Sequence, residues 1–422
     1  MSVFSKQKIK DFFIYGLGQG INIVSPLLIL PYIIIICGEE GLGKVGVGMS
    51  MALIINGIVD YGSYINGVKE ISINRDNKQV LEQHFKAIYF SKLMLLLLML
   101  FFVGIIILTV PFFAREKELY FFSFLIVIGQ FINPTWFFQG IENFKWISIV
   151  NVVSKLLYIG LFFAFVKQKE DYIYVNLFFG LGAIIGNCLG LLWIIKKYGF
   201  SLNIFKVQPA LTILKTEFSF SVSQLFLSMY QYAPIILISY LGGDFVAGQF
   251  RVIDQIVSIF KTYLNMFFYF VYANICYVLN QEIKRGINVW KQYNGVNFLF
   301  LSTLLFVFYY HADFILRYFK IDEIQLKATA EYFRMALIVP FLVSISQPLR
   351  QLMFAFNENK IYIRITIATT LLNFILLVFF TKQAGLRGTF LSIILIELII
   401  IVLYYCILLK HFRQNLKTAN GI

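Results

Sequence analysis

Apolar runs of about 20 residues, the length a helix needs to cross a bilayer, recur along this whole sequence. Only short polar segments separate them. Charged residues make up 14% of the 422 residues and the mean hydropathy is +0.78, whereas soluble domains have roughly a quarter charged residues. So few charges cannot cover a water-exposed surface of this size. The sequence therefore predicts an integral membrane protein whose spans are α-helices.

The apolar runs divide into two equal groups. The longest polar stretch, residues 196–215, separates them, so we predict two six-helix bundles, residues 1–205 and 206–422, a common transporter plan with the substrate site between the halves. The fold class is all-α, with about twelve spans near residues 12–37, 45–67, 85–111, 119–139, 146–166, 173–195, 217–241, 246–278, 292–317, 328–355, 361–382 and 387–409.

Lysine and arginine are unevenly distributed between the two sets of loops. With the N-terminus inside, the inner segments hold more basic residues than the outer ones, and Arg350 is counted among the inner ones. The positive-inside rule then places both termini in the cytoplasm. Because this topology accounts for the net charge of +14, no nucleic-acid partner is predicted. The first run is too long and too late for a cleaved signal peptide.

Metal-dependent or nucleophilic chemistry has no support in the sequence. The cysteines form no CxxC pair, and the histidines show no metal-ligand spacing. No nucleotide-binding loop or nucleophile arrangement is evident. We therefore predict no metal, no cofactor and no enzymatic activity.

Polar residues inside two spans follow a helical period. In the first span they are Tyr15, Gln19, Asn22 and Pro26, and in the seventh Glu217, Ser221, Gln224, Ser228 and Gln231. Spacings of three and four residues place each set on one helix face. Both spans also carry a proline near the outer end, Pro31 and Pro234. This similarity supports two related halves whose polar faces offer hydrogen bonds to a cargo.

The eighth span has the strongest polar stripe. A charge near the bilayer centre costs at least a few kcal/mol, so Arg251 and Lys261 should face a hydrated cavity or a partner. Arg251 could instead pair with Asp254 at the outer end. Because basic residues outnumber acids here, the pattern favours an anionic cargo. The stripe lies within roughly 120° of arc and comprises Arg251, Asp254, Gln255, Ser258, Lys261, Thr262, Asn265 and Tyr269.

Other charges lie within the predicted spans. Asp60 and Glu397 are candidate ion-coupling residues, and Glu397 could equally be structural. Lys92 and Lys155 lie early enough in their spans for their side chains to snorkel towards the inner surface.

A distinctive motif follows the fourth span. Pro134 should weaken the helix end, Gly140 should allow the turn into the inner loop, and the aromatic residues should lie at the headgroup level. The sequence Asn133–Glu142 contains Pro134, Trp136, Phe137, Phe138, Gln139, Gly140 and Glu142.

This motif resembles the P-x-W-F-F-Q-G-x-E element of the Wzx-type flippases of O-antigen and related polysaccharide repeat units. Those proteins form the polysaccharide-transporter branch of the MOP superfamily, which also contains the MATE exporters. The stretch from Gly18 to Tyr32 looks like the family's first span, and Asp60–Ile71 looks like the end of its second. The specific motifs lie in the first third of the chain.

The resemblance implies a MATE-like fold and a transport function. The implied cargo is an undecaprenyl-pyrophosphate-linked oligosaccharide, moved from the inner to the outer leaflet of the bacterial cytoplasmic membrane by alternating access. Candidate partners are a polysaccharide polymerase and a chain-length regulator. The resemblance does not distinguish O-antigen from capsule or another surface polysaccharide.

Two other functions are considered. A MATE-like cation exporter should have acidic residues in its lumen, whereas this stripe is basic. A membrane polysaccharide polymerase or ligase needs a reactive site in a sizeable outer loop, and the outer loops here are short.

Overall fold

The computed structural model describes residues 6–61, 63, 67–201 and 207–419, and within them the side chains except at 6–17, 19, 219, 220, 223, 273 and 411–419. A 3₁₀ helix covers Lys169–Tyr172. The α-helices are α1 (Lys6–Val59), α2 (Val68–Ile73), α3 (Lys78–Thr109), α4 (Pro111–Ala114), α5 (Lys117–Ile132), α6 (Thr135–Gly140), α7 (Phe144–Phe165), α8 (Ile173–Tyr198), α9 (Val207–Thr216), α10 (Phe218–Gly242), α11 (Asp244–Gln281), α12 (Ile283–Tyr310), α13 (Ala312–Tyr318), α14 (Glu323–Ala336), α15 (Ile338–Ala355) and α16 (Asn359–Ala419).

Ten helical stretches in the described part of the chain are long and apolar enough to cross a membrane. Two of them, Gly20–Val59 and Asn359–Lys410, have 40 and 52 residues, about twice the length of one pass. Each is interrupted near its middle, so each provides two passes and the described chain makes twelve in total. This confirms the prediction of an all-helical membrane protein with about twelve spans.

Glycines supply both interruptions. Gly38 has φ 76° and ψ 173° within α1, and Gly385 has φ 55° and ψ −136° within α16. Residues with a Cβ adopt such positive φ values only at a cost in energy. The first half of α1 packs against α7, where the ring centroids of Tyr32 and Phe163 are 4.8 Å apart. The second half packs against α5 and α8, where Gly48 meets Ser123.

The first compact unit comprises Met1–Tyr240. Helix α8 lies between α5 and α7, and its glycines allow close approach: a Cβ on Gly180 would lie 2.6 Å from the carbonyl carbon of Leu125, and one on Gly182 would lie 2.5 Å from the carbonyl oxygen of Ser154. Small residues at helix contacts are typical of membrane proteins. Asn187 adds a buried hydrogen bond from Nδ2 to the Gly129 carbonyl oxygen, at 2.7 Å.

The second compact unit comprises Leu241–Ile422. Within it α11 packs against α12 and α15, and α15 packs against α16. An apolar cluster that includes Val271, Leu352 and Tyr404 joins these helices. The predicted division into six-helix bundles at residues 205 and 206 stays a prediction.

The aromatic motif lies in the interior of the first unit. Trp136, Phe137 and Phe138 are each 0% exposed, which corrects the expectation that they lie at the headgroup level. Short helix α6 begins after Asn133, whose side-chain oxygen accepts hydrogen bonds from the backbone N–H of Thr135 at 3.0 Å and from its hydroxyl at 2.6 Å. The rings face inward because α6 is packed within a cluster built from α3, α7 and α8.

The turn of the motif also differs from the prediction. Gly140 lies inside α6, and a Cβ there would lie 2.6 Å from the side chain of Ile71 on α2. The left-handed residue is Glu142, with φ 57°. Gly140 is therefore required for close helix packing, and the chain turns two residues later. Exposed Arg75 lies 3.9 Å from the Glu142 carboxylate.

Candidate functional site

The polar stripe of α11 begins with a local ion pair. Arg251 Nη1 lies 3.8 Å from Asp254 Oδ2, so the pairing considered from the sequence is present. Gln255, one residue later, is buried. The Ser258 hydroxyl donates to the Gln255 carbonyl oxygen at 2.7 Å, and the Thr262 hydroxyl donates to the Ser258 carbonyl oxygen at 2.8 Å. Both hydroxyl protons are therefore used within the helix.

Lys261 follows on the same face and is half-buried. Among the described residues of its unit, no acid lies within ion-pair distance of its ammonium. Within that part of the chain its charge is therefore unneutralised, unlike that of Arg251.

Asn265, one turn after Lys261, connects α11 to α15. Its Oδ1 accepts hydrogen bonds from Gln347 Nε2 at 2.9 Å and from Arg350 Nη2 at 3.4 Å. The guanidinium of Arg350 also lies over the ring of Phe268, 4.8 Å from its centroid. Arg350, which was counted with the inner basic segments and falls within the predicted span 328–355, therefore lies inside α15 as part of a packed polar cluster.

Further hydrogen bonds join α15 to α11 and α12 beside this cluster. Gln351 donates from Nε2 to the Phe268 carbonyl oxygen at 3.3 Å, and it accepts a bond from Asn294 Nδ2 at 3.1 Å. Trp290 Nε1 donates to the Pro348 carbonyl oxygen at 3.1 Å. Bonds from α11 and α12 thus fix the C-terminal half of α15.

The polar faces of α1 and α10 meet within the first unit. A Cβ on Gly57 would clash with Ser228 Oγ, so only a glycine permits this close approach of the two helices. Gln224 and Asn22 are half-buried and Gln231 is exposed. The side chain of Gln19 lies outside the described residues.

Asp60 is paired in the structure. Its Oδ1 lies 2.8 Å from Lys92 Nζ on α3, and the two side chains are 15% and 1% exposed. Lys92 therefore does not snorkel to the surface as predicted, because its acid partner lies within the helix packing. The pair lines a cavity of about 290 Å³ that also includes Tyr61, His84 and Glu217.

The other two intramembrane charges have local partners. Glu397 is buried and accepts a hydrogen bond from Ser346 Oγ at 3.3 Å. Lys155 Nζ lies 3.9 Å from the centroid of the Phe179 ring, a cation–π contact. Lys155 is therefore held between helices, which corrects its predicted snorkelling.

These contacts identify two residues that sequence reasoning missed, Gln347 and Arg350. A usable signal existed: Ser344, Gln347 and Gln351 recur at spacings of three and four residues in an apolar run, with Arg350 beside them. Chemically, the cluster offers positively charged and amide hydrogen-bond donors, which suit an anion.

Comparison with known proteins supports the assignment of the chain to a family. The family model described as "Polysaccharide biosynthesis protein" matches residues 9–272. A protein of Escherichia coli (strain K12) named "Putative O-antigen transporter" is 24% identical over 382 residues, which cover 89% of this chain and 91% of that protein.

Solved structures share the fold over nearly the whole chain. An inward-facing multidrug resistance transporter of the MATE family has a TM-score of 0.70 at 15% identity, with 97% of this chain and 96% of that one covered. The lipid II flippase MurJ, in an inward closed conformation, has a TM-score of 0.68 at 15% identity, with 96% and 87% covered. Because the family model spans more than half of the sequence, this chain belongs to the polysaccharide biosynthesis protein family, and its fold is that of the MATE-like transporters of the MOP superfamily.

Proposed function

We propose that this protein is a flippase for a lipid-linked oligosaccharide. The cargo is an undecaprenyl-pyrophosphate-linked repeat unit of O-antigen or another surface polysaccharide, moved from the inner to the outer leaflet of the bacterial cytoplasmic membrane. Transport proceeds by alternating access. Both termini lie in the cytoplasm, and a polymerase and a chain-length regulator act on the exported units.

The observation that carries the proposal is similarity along nearly the whole chain to the E. coli protein named for O-antigen transport. The chemistry of α11 and α15 supports it. Lys261 and Arg350 make no ion pair with the described residues of their unit, and unneutralised cations in a membrane protein favour an anionic cargo. The polar faces of α1 and α10, with Asn22, Gln224 and Gln231, provide hydrogen bonds to sugar hydroxyls.

Deletion of the gene tests the proposed function. We expect loss of the surface polysaccharide and accumulation of its lipid-linked repeat unit on the cytoplasmic leaflet, measured by extraction and by accessibility to a membrane-impermeant glycan-modifying reagent. Expression from a plasmid should restore export. Unchanged surface polysaccharide in a strain without a second flippase would refute the proposal.

Replacement of Lys261 by Ala should lower export about tenfold or more, since a hydrogen bond to a charged group contributes about 1.5–3 kcal/mol. Surface polysaccharide in the complemented deletion strain measures the effect, with the membrane level of the protein checked by immunoblot. Lys291→Ala is the matched control, because Lys291 is an exposed lysine of α12. Equal export by the two variants would contradict the role of Lys261.

Asp60 and Glu397 remain our candidates for coupling transport to an ion gradient. Their contacts with Lys92 and Ser346 are compatible with either a coupling or a structural role.

A further inference from the structure

A groove runs between α11 and α12 on the surface of the second unit. It is open along one side and has a volume of about 840 Å³, and sites for small molecules typically have about 300–1,000 Å³. Its walls are formed by residues 263–278 of α11 and 285–300 of α12. Lys261 and Asn265 are not among its lining residues, so the groove is separate from the polar cluster of α11 and α15.

The groove has about the length of one membrane leaflet. The first and last lining residues on each helix are 15 positions apart, which corresponds to about 22 Å of helix. A bilayer with its headgroups is about 40–45 Å thick, and one leaflet is half of that. One end of the groove lies at the turn between the helices, where the single residue Glu282 separates α11 from α12. Because both helices are long enough to cross a membrane, the groove extends from the membrane surface to near its middle.

The chemistry of the groove changes along its length. Arg285, at the end next to the turn, is exposed and lines the groove. Gln292 and Tyr293 follow seven and eight positions later, about 10–12 Å further along the helix. The rings of Phe267 and Phe300 line the deepest part. A cation is thus followed by an amide and a hydroxyl, and then by hydrocarbon, which is the order of complementary groups along a phospholipid.

Hydrogen bonds between the two helices strengthen this gradient of polarity. At the deep end, the Tyr263 hydroxyl donates to Asn297 Oδ1 at 2.7 Å, and Asn297 is only 4% exposed. Nearer the membrane surface, Asn274 Nδ2 donates to the Tyr293 hydroxyl oxygen at 3.3 Å. Because this oxygen accepts the bond from Asn274, its own proton is left for another acceptor. The ester carbonyls of a phospholipid are acceptors that lie between its headgroup and its chains.

The turn beside the groove is basic. Lys284 and Arg285 are both exposed, and Glu282 is the one acidic residue in the sequence from 270 to 300. Basic residues at a membrane boundary attract anionic lipid headgroups. In the predicted topology this turn is cytoplasmic, so the groove opens towards the headgroups of the inner leaflet.

From these observations we infer that the groove between α11 and α12 binds one anionic phospholipid of the inner leaflet. Arg285 contacts the phosphate, Gln292 and Tyr293 donate to the ester oxygens, and one acyl chain lies against the aromatic rings. A zwitterionic lipid has the same chains but places its own cation next to Lys284 and Arg285. Because the bound lipid comes from the surrounding membrane and is not the cargo, its binding is independent of the proposed function.

Lipid binding to the purified full-length protein in detergent micelles tests this site, with the bound lipids counted by native mass spectrometry. The probes are palmitoyl-oleoyl phosphatidylglycerol and palmitoyl-oleoyl phosphatidylcholine, titrated separately. We expect phosphatidylglycerol to bind at least tenfold more tightly. Arg285→Gln should weaken its binding about tenfold, equivalent to about 1.4 kcal/mol. Lys291→Gln is the matched control and should bind as the wild type does, because Lys291 is exposed on the same helix but lies about 120° around it from Arg285.

Val296→Trp tests the groove without a change of charge. Val296 is 71% exposed and lines the groove, so a larger side chain there fills the groove and does not enter the protein core. The thermal unfolding midpoint should be unchanged, while both lipids should bind at least tenfold more weakly. Val307→Trp is the control, because Val307 is an exposed residue of the same helix outside the groove.

Equal affinity of the wild type for the two lipids would overturn the assignment of an anionic lipid. Wild-type affinity in either Arg285→Gln or Val296→Trp would overturn the site, as would equal losses in the control variants. Displacement of bound phosphatidylglycerol by an equal concentration of undecaprenyl phosphate would instead assign the groove to a polyprenyl chain. None of these measurements involves transport, so each of these failures is distinguishable from failure of the proposed function.

Discussion

Replacement of Asp60 by Asn should destabilise the protein by about 3–5 kcal/mol, because removal of one partner of a buried ion pair leaves the other charge uncompensated. Lys92 is 1% exposed and lies 2.8 Å from the Asp60 carboxylate. Asn is nearly the same size as Asp, so little packing is lost and the effect reports mainly on charge. The measurement is the thermal unfolding midpoint in detergent, combined with the yield of folded protein.

The double variant Asp60→Asn/Lys92→Met should recover most of the lost stability. Exchanging a whole buried pair for neutral groups is often neutral or stabilising. Glu82→Gln is the matched control on the same helix as Lys92. Glu82 pairs with Lys86 at 2.7 Å, with side chains 22% and 17% exposed, and loss of this pair should cost only about 0.3–0.5 kcal/mol. A single variant as stable as the control would show that Lys92 is not held as a charged group.

The same pair of variants decides whether Asp60 couples transport to an ion. If the double variant is stable and exports polysaccharide normally, the pair is structural. If it is stable and export is lost, titration or ion binding at Asp60 becomes the better account. Stability and transport must therefore be measured on the same variants.

The membrane-spanning helices were predictable because hydrophobic length is a direct physical requirement of the bilayer. The predicted seventh span, 217–241, differs by one residue from α10, Phe218–Gly242. The ninth was less accurate: we predicted 292–317, whereas α12 is Ile283–Tyr310. Hydropathy detects only the apolar part of a helix. The first turn of α12 contains Lys284 and Arg285, so this helix begins before the apolar run does.

The partners of the charged residues could not be predicted in the same way. A helical period places Asp60 on a face of its span, but it cannot show that Lys92 on another helix approaches within 2.8 Å. The predicted span 328–355 likewise contains Arg350, but it cannot show that the Arg350 side chain reaches Asn265 and Phe268 on another helix. Contacts between distant residues depend on tertiary packing, which a single sequence does not reveal.

The location of the aromatic motif could not be predicted from its composition either. Its composition, with Trp136 between Pro134 and Phe137, is typical both of an interfacial belt and of a buried core. Only the packing of α6 distinguishes them. Buried aromatic clusters predict large effects on stability, whereas interfacial ones predict small effects, so a mutation separates the two interpretations.

Trp136→Ala should therefore destabilise the first unit by about 3–5 kcal/mol, the usual cost of removing a large buried aromatic side chain. The Trp136 ring centroid lies 6.0 Å from that of Phe85 and 5.8 Å from that of Tyr89. The ring thus joins α6 to α3 in the cluster that surrounds it. The thermal unfolding midpoint in detergent and the amount of protein extracted from membranes should both fall sharply.

Trp136→Phe should lose less stability than the Ala variant, since it leaves a smaller cavity. Phe101→Ala on α3 is the control, because Phe101 is 64% exposed and its loss should change stability by about 0.5 kcal/mol or less. If Trp136→Ala were as stable as this control, the ring would have to lie at the membrane surface, as the sequence first suggested. A large loss for Trp136→Ala with nearly normal export by Trp136→Phe would show that the motif acts by holding helices together, and that cargo binding belongs to other residues of the chain.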